Sequence, residues 1–201
     1  MWQVKNLFFG YDDNLILKNA NIEVKENKVG IIGVNGVGKT TLLKLLAGEI
    51  LPKDGTIKVD KKCYYTRYNF SKYERFSIRD FLLLVEKLES FDTSNSEYYI
   101  NLLGIKEYLD YSIGNLSKGT QKKVALLLTF LSKREMLLID EPFESIDEKS
   151  NENIINEFIK IDKEIIIISH DFNYLDKACS KIYEVKNKGI EAYDRFIWYI
   201  I

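Results

Sequence analysis

A chain of 201 residues is long enough for one sizeable core with room for a smaller insert. Its 29 Lys+Arg balance 30 Asp+Glu to a formal net charge of -1, which lacks the basic footprint of an electrostatic nucleic-acid binder, so no nucleic-acid partner is expected. No apolar run approaches the roughly 20 residues of a membrane-spanning helix, and Met1-Trp2-Gln3-Val4-Lys5 does not read as a secretory leader.

Trp2–Phe9 and Ala20–Val24 read as strands joined through Gly10-Tyr11-Asp12-Asp13-Asn14. Lys28–Gly33 is a compact apolar strand that runs into a glycine-rich loop. Leu42, Leu43, Leu45 and Leu46 then fit the buried face of a helix over Thr40–Ala47, with Gly48 as its C-terminal stop. Thr56–Asp60 alternates as a strand does. The middle of the chain changes period: Ile78–Leu88, Tyr98–Leu103 and Lys122–Leu131 carry apolar residues at helical spacing. The last third returns to alternation, with strands Met136–Ile139, Glu164–Ser169 and Lys181–Val185 between helices Glu148–Lys160 and Phe172–Ala178. This order predicts an α/β fold with a mostly parallel sheet. Residues 1–70 and 132–201 would form the sheet core, and about 71–131 a helical insert. Cys63 and Cys179, far apart and without ligand spacing, read as free thiols in a reducing compartment.

Gly33-Val34-Asn35-Gly36-Val37-Gly38-Lys39-Thr40 fits the phosphate-binding pattern G-x-x-x-x-G-K-[ST] between a strand and a helix. Its glycines let backbone N–H groups approach phosphate oxygens, and the following helix, opening with Thr40 and Thr41, adds its positive dipole end. Lys39 is expected at the β- and γ-phosphates, and the Thr40 hydroxyl on Mg²⁺. Met136-Leu137-Leu138-Ile139-Asp140-Glu141-Pro142 is an apolar strand that delivers two acids to the carboxyl edge of the sheet, the edge where the loop also lies. Asp140 is expected to orient the Mg²⁺ shell and Glu141 to polarise the attacking water. Together these features indicate a nucleoside triphosphatase.

Further segments narrow the type. Leu116-Ser117-Lys118-Gly119-Thr120-Gln121 opens a helix shortly before the Asp140 strand, and Ser117 with Gly119 would form a second anion site. It resembles the LSGGQ signature of ABC-type ATPases, with lysine for the first glycine and threonine for the terminal glutamine. His170, the single histidine, ends an Ile-rich strand and resembles the family's switch histidine, which contacts the γ-phosphate. Asp147 resembles the D-loop aspartate, and it is equally suited to cap the helix that starts at Glu148. Tyr11 resembles the aromatic that stacks on adenine. The resemblance covers nearly the whole chain in the family's motif order. It implies ATP and Mg²⁺ as cofactors, and a second ATP-binding cassette whose Ser117 segment closes over the first one's phosphate loop. It also implies a membrane-spanning permease subunit as partner, and a cytoplasmic location at the inner face of the membrane. Short cassettes of this type resemble exporters more than nutrient importers. Homodimer and heterodimer are both open. A non-transport ABC-type ATPase acting on ribosomes, nucleic acid or cluster assembly is the alternative.

One position departs from the family. Its glutamine at the junction from sheet to helices has no counterpart in Cys63-Tyr64-Tyr65-Thr66-Arg67-Tyr68-Asn69-Phe70, where Arg67 or Tyr68 takes the approximate place.

Overall fold

Alternating burial along Trp2–Tyr11 (β1) points Trp2, Val4, Leu7 and Phe9 to one side of a three-stranded antiparallel sheet. The structure is a computed structural model, and residues 1–193 are described; the part of the expected sheet core at 194–201 lies outside them. β1 pairs on one edge with Asn14–Val24 (β2), through a tight turn at Asp12-Asp13, and on the other with Asp54–Val59 (β4). Both strands of the hairpin are longer than their apolar runs, because main-chain pairing carries them on to Tyr11 and Asn14.

Lys28–Ile32 (β3) lies inside a second sheet of six strands. The others are Cys63–Tyr65 (β5), Met136–Asp140 (β6), Glu164–Ile168 (β7), Lys181–Lys186 (β8) and Gly189–Ala192 (β9), in the order β5-β6-β7-β3-β8-β9. All pairings are parallel except that of β8 with β9. β7 is buried along its whole length, β6 up to its last residue and β3 over its three central residues, which is why they read as compact apolar runs. β5 and β9 were not expected: one has three residues and the other four, too short for a period to register.

Six α-helices are described, Lys39–Leu46 (α1), Ile78–Glu86 (α2), Ser96–Leu103 (α3), Lys118–Leu131 (α4), Glu148–Lys160 (α5) and Phe172–Ala178 (α6), with two short 3-10 turns between α3 and α4. α2 stops short of the expected Leu88, and α4 starts a turn earlier than the apolar pattern indicates. Its first turn is polar, and Ser117 caps it by accepting from Thr120 N. Gly48 ends α1 in the left-handed conformation, as expected.

An aromatic column ties α3, α4 and α5 to the segment after β6. Tyr99 of α3 stacks on Phe130 of α4 at 5.0 Å, Phe130 meets Phe158 of α5 at 5.5 Å, and Phe158 meets Phe143, just past β6, at 6.2 Å. Phe158 is fully buried. Phe158→Ala is therefore expected to destabilise the chain by about 3–5 kcal/mol through lost burial and the cavity left behind. Urea unfolding checks this: the midpoint should fall with an unchanged slope.

Candidate nucleotide site

Parallel pairing brings the carboxyl ends of β3, β6 and β7 side by side, with Asp140 opposite Ile168 and Ile31 opposite the same residue. The loop after β3 and the acids after β6 therefore share one edge. The loop's crest, Val34, Asn35 and Gly36, is exposed, while Val37 is half-buried over the antiparallel sheet's core. Gly38 starts α1 at φ 113°, and a Cβ there would stand 2.3 Å from Ile16 Cγ2. Both its conformation and its contact exclude a side chain.

Lys39 is buried, and its ammonium donates to the carbonyls of Gly33 at 2.8 Å and Val34 at 3.3 Å, curling inside the loop. Thr41 is buried under the same turn. Thr40 is exposed and donates its hydroxyl to Asp140 Oδ2 at 2.5 Å. Burial pushes the Asp140 carboxyl up, against the opposing pull of the Thr40 hydroxyl and of Lys39. An oxygen pair of this kind, one hydroxyl and one desolvated carboxylate, suits a hard cation that keeps most of its shell for water and phosphate, as Mg²⁺ does. Among the described residues no cluster of three or more acids, histidines or cysteines offers an all-protein metal cage.

Glu141 sits at φ 49°, in the left-handed region, anchored by its N–H to Ile168 O at 2.9 Å. The turn aims its carboxylate at His170: Oε2 lies 2.9 Å from the ring Nδ1 and accepts from the His170 N–H at 3.2 Å. Two candidates 29 positions apart in sequence are thus hydrogen-bonded. A cleft of 250 Å³ is lined by Ile16, Asn35, Gly36, Gly38, Lys39, Thr40, Thr41, Asp140 and Glu141. A neighbouring one of 480 Å³ shares Thr40, Asp140 and Glu141 and extends over Arg67, Tyr68 and Lys122.

Ser117, Gly119, Asp147, Tyr11 and His170 line neither cleft. Ser117 is exposed and bonded to Thr120 through both backbone and hydroxyl. Gly119 packs so closely on the turn after β6 that a Cβ would come within 2.2 Å of Ser145 O. Asp147 is the N-cap of α5, accepting from Ser150 N at 2.9 Å, and it pairs with Lys123 at 2.8 Å; these bonds hold its carboxyl far below the usual range. The capping role foreseen for Asp147 is thus observed. Tyr11 is exposed at the hairpin end, edge-on to Phe9 at 5.1 Å, and does not line either cleft.

At the junction without the glutamine, Arg67 and Tyr68 diverge. Arg67 is exposed and pairs with Glu49 at 2.6 Å. Tyr68 is half-buried, with its hydroxyl oxygen enclosed and without a hydrogen-bond partner among the described residues, so its phenol is pushed well above the usual range by burial. Ile16 and Lys122 are among the lining residues that escaped the sequence reading. Ile16 is one apolar residue on an edge strand, and Lys122 is one lysine among several at a helix start; no local pattern singles out either.

The ABC transporter family profile matches residues 17–144. A probable metal transport system ATP-binding protein of Thermotoga maritima is 31% identical over 189 residues, 90% of this chain and 79% of its own length. An uncharacterized ABC transporter ATP-binding protein of Methanocaldococcus jannaschii is 29% identical over 192 residues, covering 92% of this chain and 73% of its own. Among solved structures, a dimeric bacterial ABC transporter cassette superposes with a TM-score of 0.81 over 95% of this chain and 97% of its own, at 20% identity.

Proposed function

Because the chain belongs to the ABC transporter family, we propose that it is the ATP-hydrolysing subunit that energises transport, export rather than import, through a separate membrane permease. The observation that carries the reading is that the Lys39 loop, the Thr40–Asp140 pair and Glu141 line one cleft, with His170 hydrogen-bonded to Glu141 from beside it. In this reading the backbone N–H groups of residues 33–41 cradle the phosphates, and Lys39 leaves the Gly33 and Val34 carbonyls for the β- and γ-oxygens. Thr40 and Asp140 hold Mg²⁺, which when bound neutralises charge on the β- and γ-phosphates. Glu141 polarises the water for in-line attack, and His170 orients Glu141 and faces the γ-phosphate. Tyr11 stacks on the base, and Ser117, Gly119 and Asp147 act across a dimer of two cassettes. The expected sheet core, of which 1–70 and 132–193 are described, carries the nucleotide, and the helices of about 71–131 carry the signature segment.

No helix among the described residues is long and apolar enough to cross a membrane. The transport path is accordingly assigned to another chain, with this one held at the cytoplasmic face. Affinity purification of the tagged protein from its native cells, in mild detergent, tests the assignment. A polytopic membrane protein is expected in the eluate at stoichiometric yield. Recovery with ribosomes or nucleic acid, and no membrane protein, would overturn it.

A further inference from the structure

Glu141 adopts a backbone conformation that non-glycine residues avoid, and such strain persists only where the surroundings over-determine it. Its N–H is anchored to β7 through Ile168 O. Its carbonyl is held by a second group, Lys122 of α4, whose Nζ donates to Glu141 O at 2.9 Å. Three further observations show that Lys122 is built into this place. Its side chain is only 11% exposed, unusual for lysine. Its ammonium pairs with Glu144 at 3.1 Å, within the same turn as Glu141. It also lies 5.1 Å above the centroid of the Tyr68 ring, within cation–π range.

We infer that Lys122 is a positioning residue: it clamps the strained Glu141 turn so that the carboxylate points at the γ-phosphate side of the cleft. The inference rests on the reading of Glu141 as the water-polarising group. Lys122 follows the Ser117 cap by five residues on the same helix, so the clamp ties the signature segment mechanically to Glu141. A displacement of the α4 N-terminus, such as a nucleotide held against Ser117 would produce, reaches the carboxylate through one hydrogen bond. The Tyr68 ring gives the junction a part in this. It supports the ammonium from the side where the family has its glutamine, and the enclosed hydroxyl bonds to nothing described. In this arrangement the ring face of Tyr68, not its hydroxyl, is the working part.

Four proteins decide the matter: Lys122→Met, Lys122→Arg, Glu141→Gln and the double variant Lys122→Met with Glu141→Gln. Each is measured for single-turnover ATP cleavage and for ATP affinity, after thermal melting has confirmed the fold. Lys122→Met keeps the aliphatic stem and loses the donor; cleavage should slow about 10- to 100-fold, the scale of a small misplacement of a reacting group. ATP affinity should stay at the wild-type value, because the phosphate loop is untouched. Lys122→Arg, which can still donate to the carbonyl, should recover most of the rate. On the Glu141→Gln background, Lys122→Met should cause no further loss, since the group it positions is already disabled. Should Lys122→Met not fold, Lys122→Gln removes the charge with less change in polarity and is read against the same expectations. A wild-type cleavage rate in Lys122→Met, with Glu141→Gln slow, would overturn the clamp and leave Glu141 in its role. So would an equal further slowing on the Glu141→Gln background, or parallel losses of rate and ATP affinity. Wild-type turnover in Glu141→Gln itself would instead remove the reading of Glu141 on which the clamp depends.

Discussion

Glu141→Gln should slow ATP turnover about 10²- to 10⁴-fold, the span typical of losing a positioned general base, while ATP binding stays near wild type. The substitution is nearly isosteric and leaves the strained turn in place, because both anchors of that turn are main-chain groups: the N–H to Ile168 O and the carbonyl to Lys122. What changes is the oxygen that faces His170 Nδ1 at 2.9 Å, which becomes part of a neutral amide with little basicity. The groups expected to hold the nucleotide, Lys39 and the Thr40–Asp140 pair, are separate side chains with their own partners. A protein that binds but does not cleave should accumulate as an ATP-bound dimer. Size-exclusion chromatography with ATP reads the dimer, and phosphate release reads the rate. Retention of wild-type turnover would show that Glu141 does not polarise the water.

The sequence reading of the fold succeeded where residues are buried on both sides or follow a fixed spacing. β3, β6 and β7 announce themselves as apolar runs, and the eight-residue loop motif places itself between a strand and a helix. Its failures have a common physical cause. β5 and β9 owe their existence to pairing with β6 and β8, and the first turn of α4 to a serine cap, so neither leaves a hydrophobic period to detect. The same distinction holds at the site. Thr40 and Asp140 stand 100 positions apart, and each was legible from its own motif; their hydrogen bond followed once both motifs lay on one sheet edge. Lys122 was not legible. Its importance lies in what its ammonium touches, and a lysine in the second turn of a polar helix start has the same sequence signature whether it meets a carbonyl or water. Tyr68 was legible only as a substitution, a tyrosine near an expected glutamine. Its enclosure beneath Lys122 depends on how the junction after β5 folds over the cleft.

Mixing two inactive variants, Lys39→Ala and Ser117→Arg, is expected to restore ATP trapping at one site per mixed dimer. The ground is the placement of Ser117. It is exposed at the start of α4 and lines neither cleft that contains Thr40, Asp140 and Glu141, which leaves it free to face a second chain. Phosphoryl-transfer sites need donors around the γ-phosphate, and groups supplied by a second chain are one recurrent source. The Ser117 hydroxyl and the amides after it can serve that way, with Gly119 keeping the segment close against Ser145. In either homodimer each composite site would carry one lesion, a disabled loop or a blocked signature, and both sites fail. In a mixed dimer the Lys39→Ala loop faces the Ser117→Arg signature, so one site carries both lesions, and the other is made of two intact halves. Trapping of labelled ATP is the readout, because turnover can demand that both sites close. Mixed dimers are verified by pulling down one tagged variant and detecting the other. Trapping no greater than in the separate homodimers, with mixed dimers present, would mean that Ser117 serves its own chain's nucleotide or that the sites close only together. If the natural partner is a different cassette, the two lesions are divided between the two chains: with Lys39→Ala in this one and the matching serine-to-arginine change in the other, one composite site again stays intact.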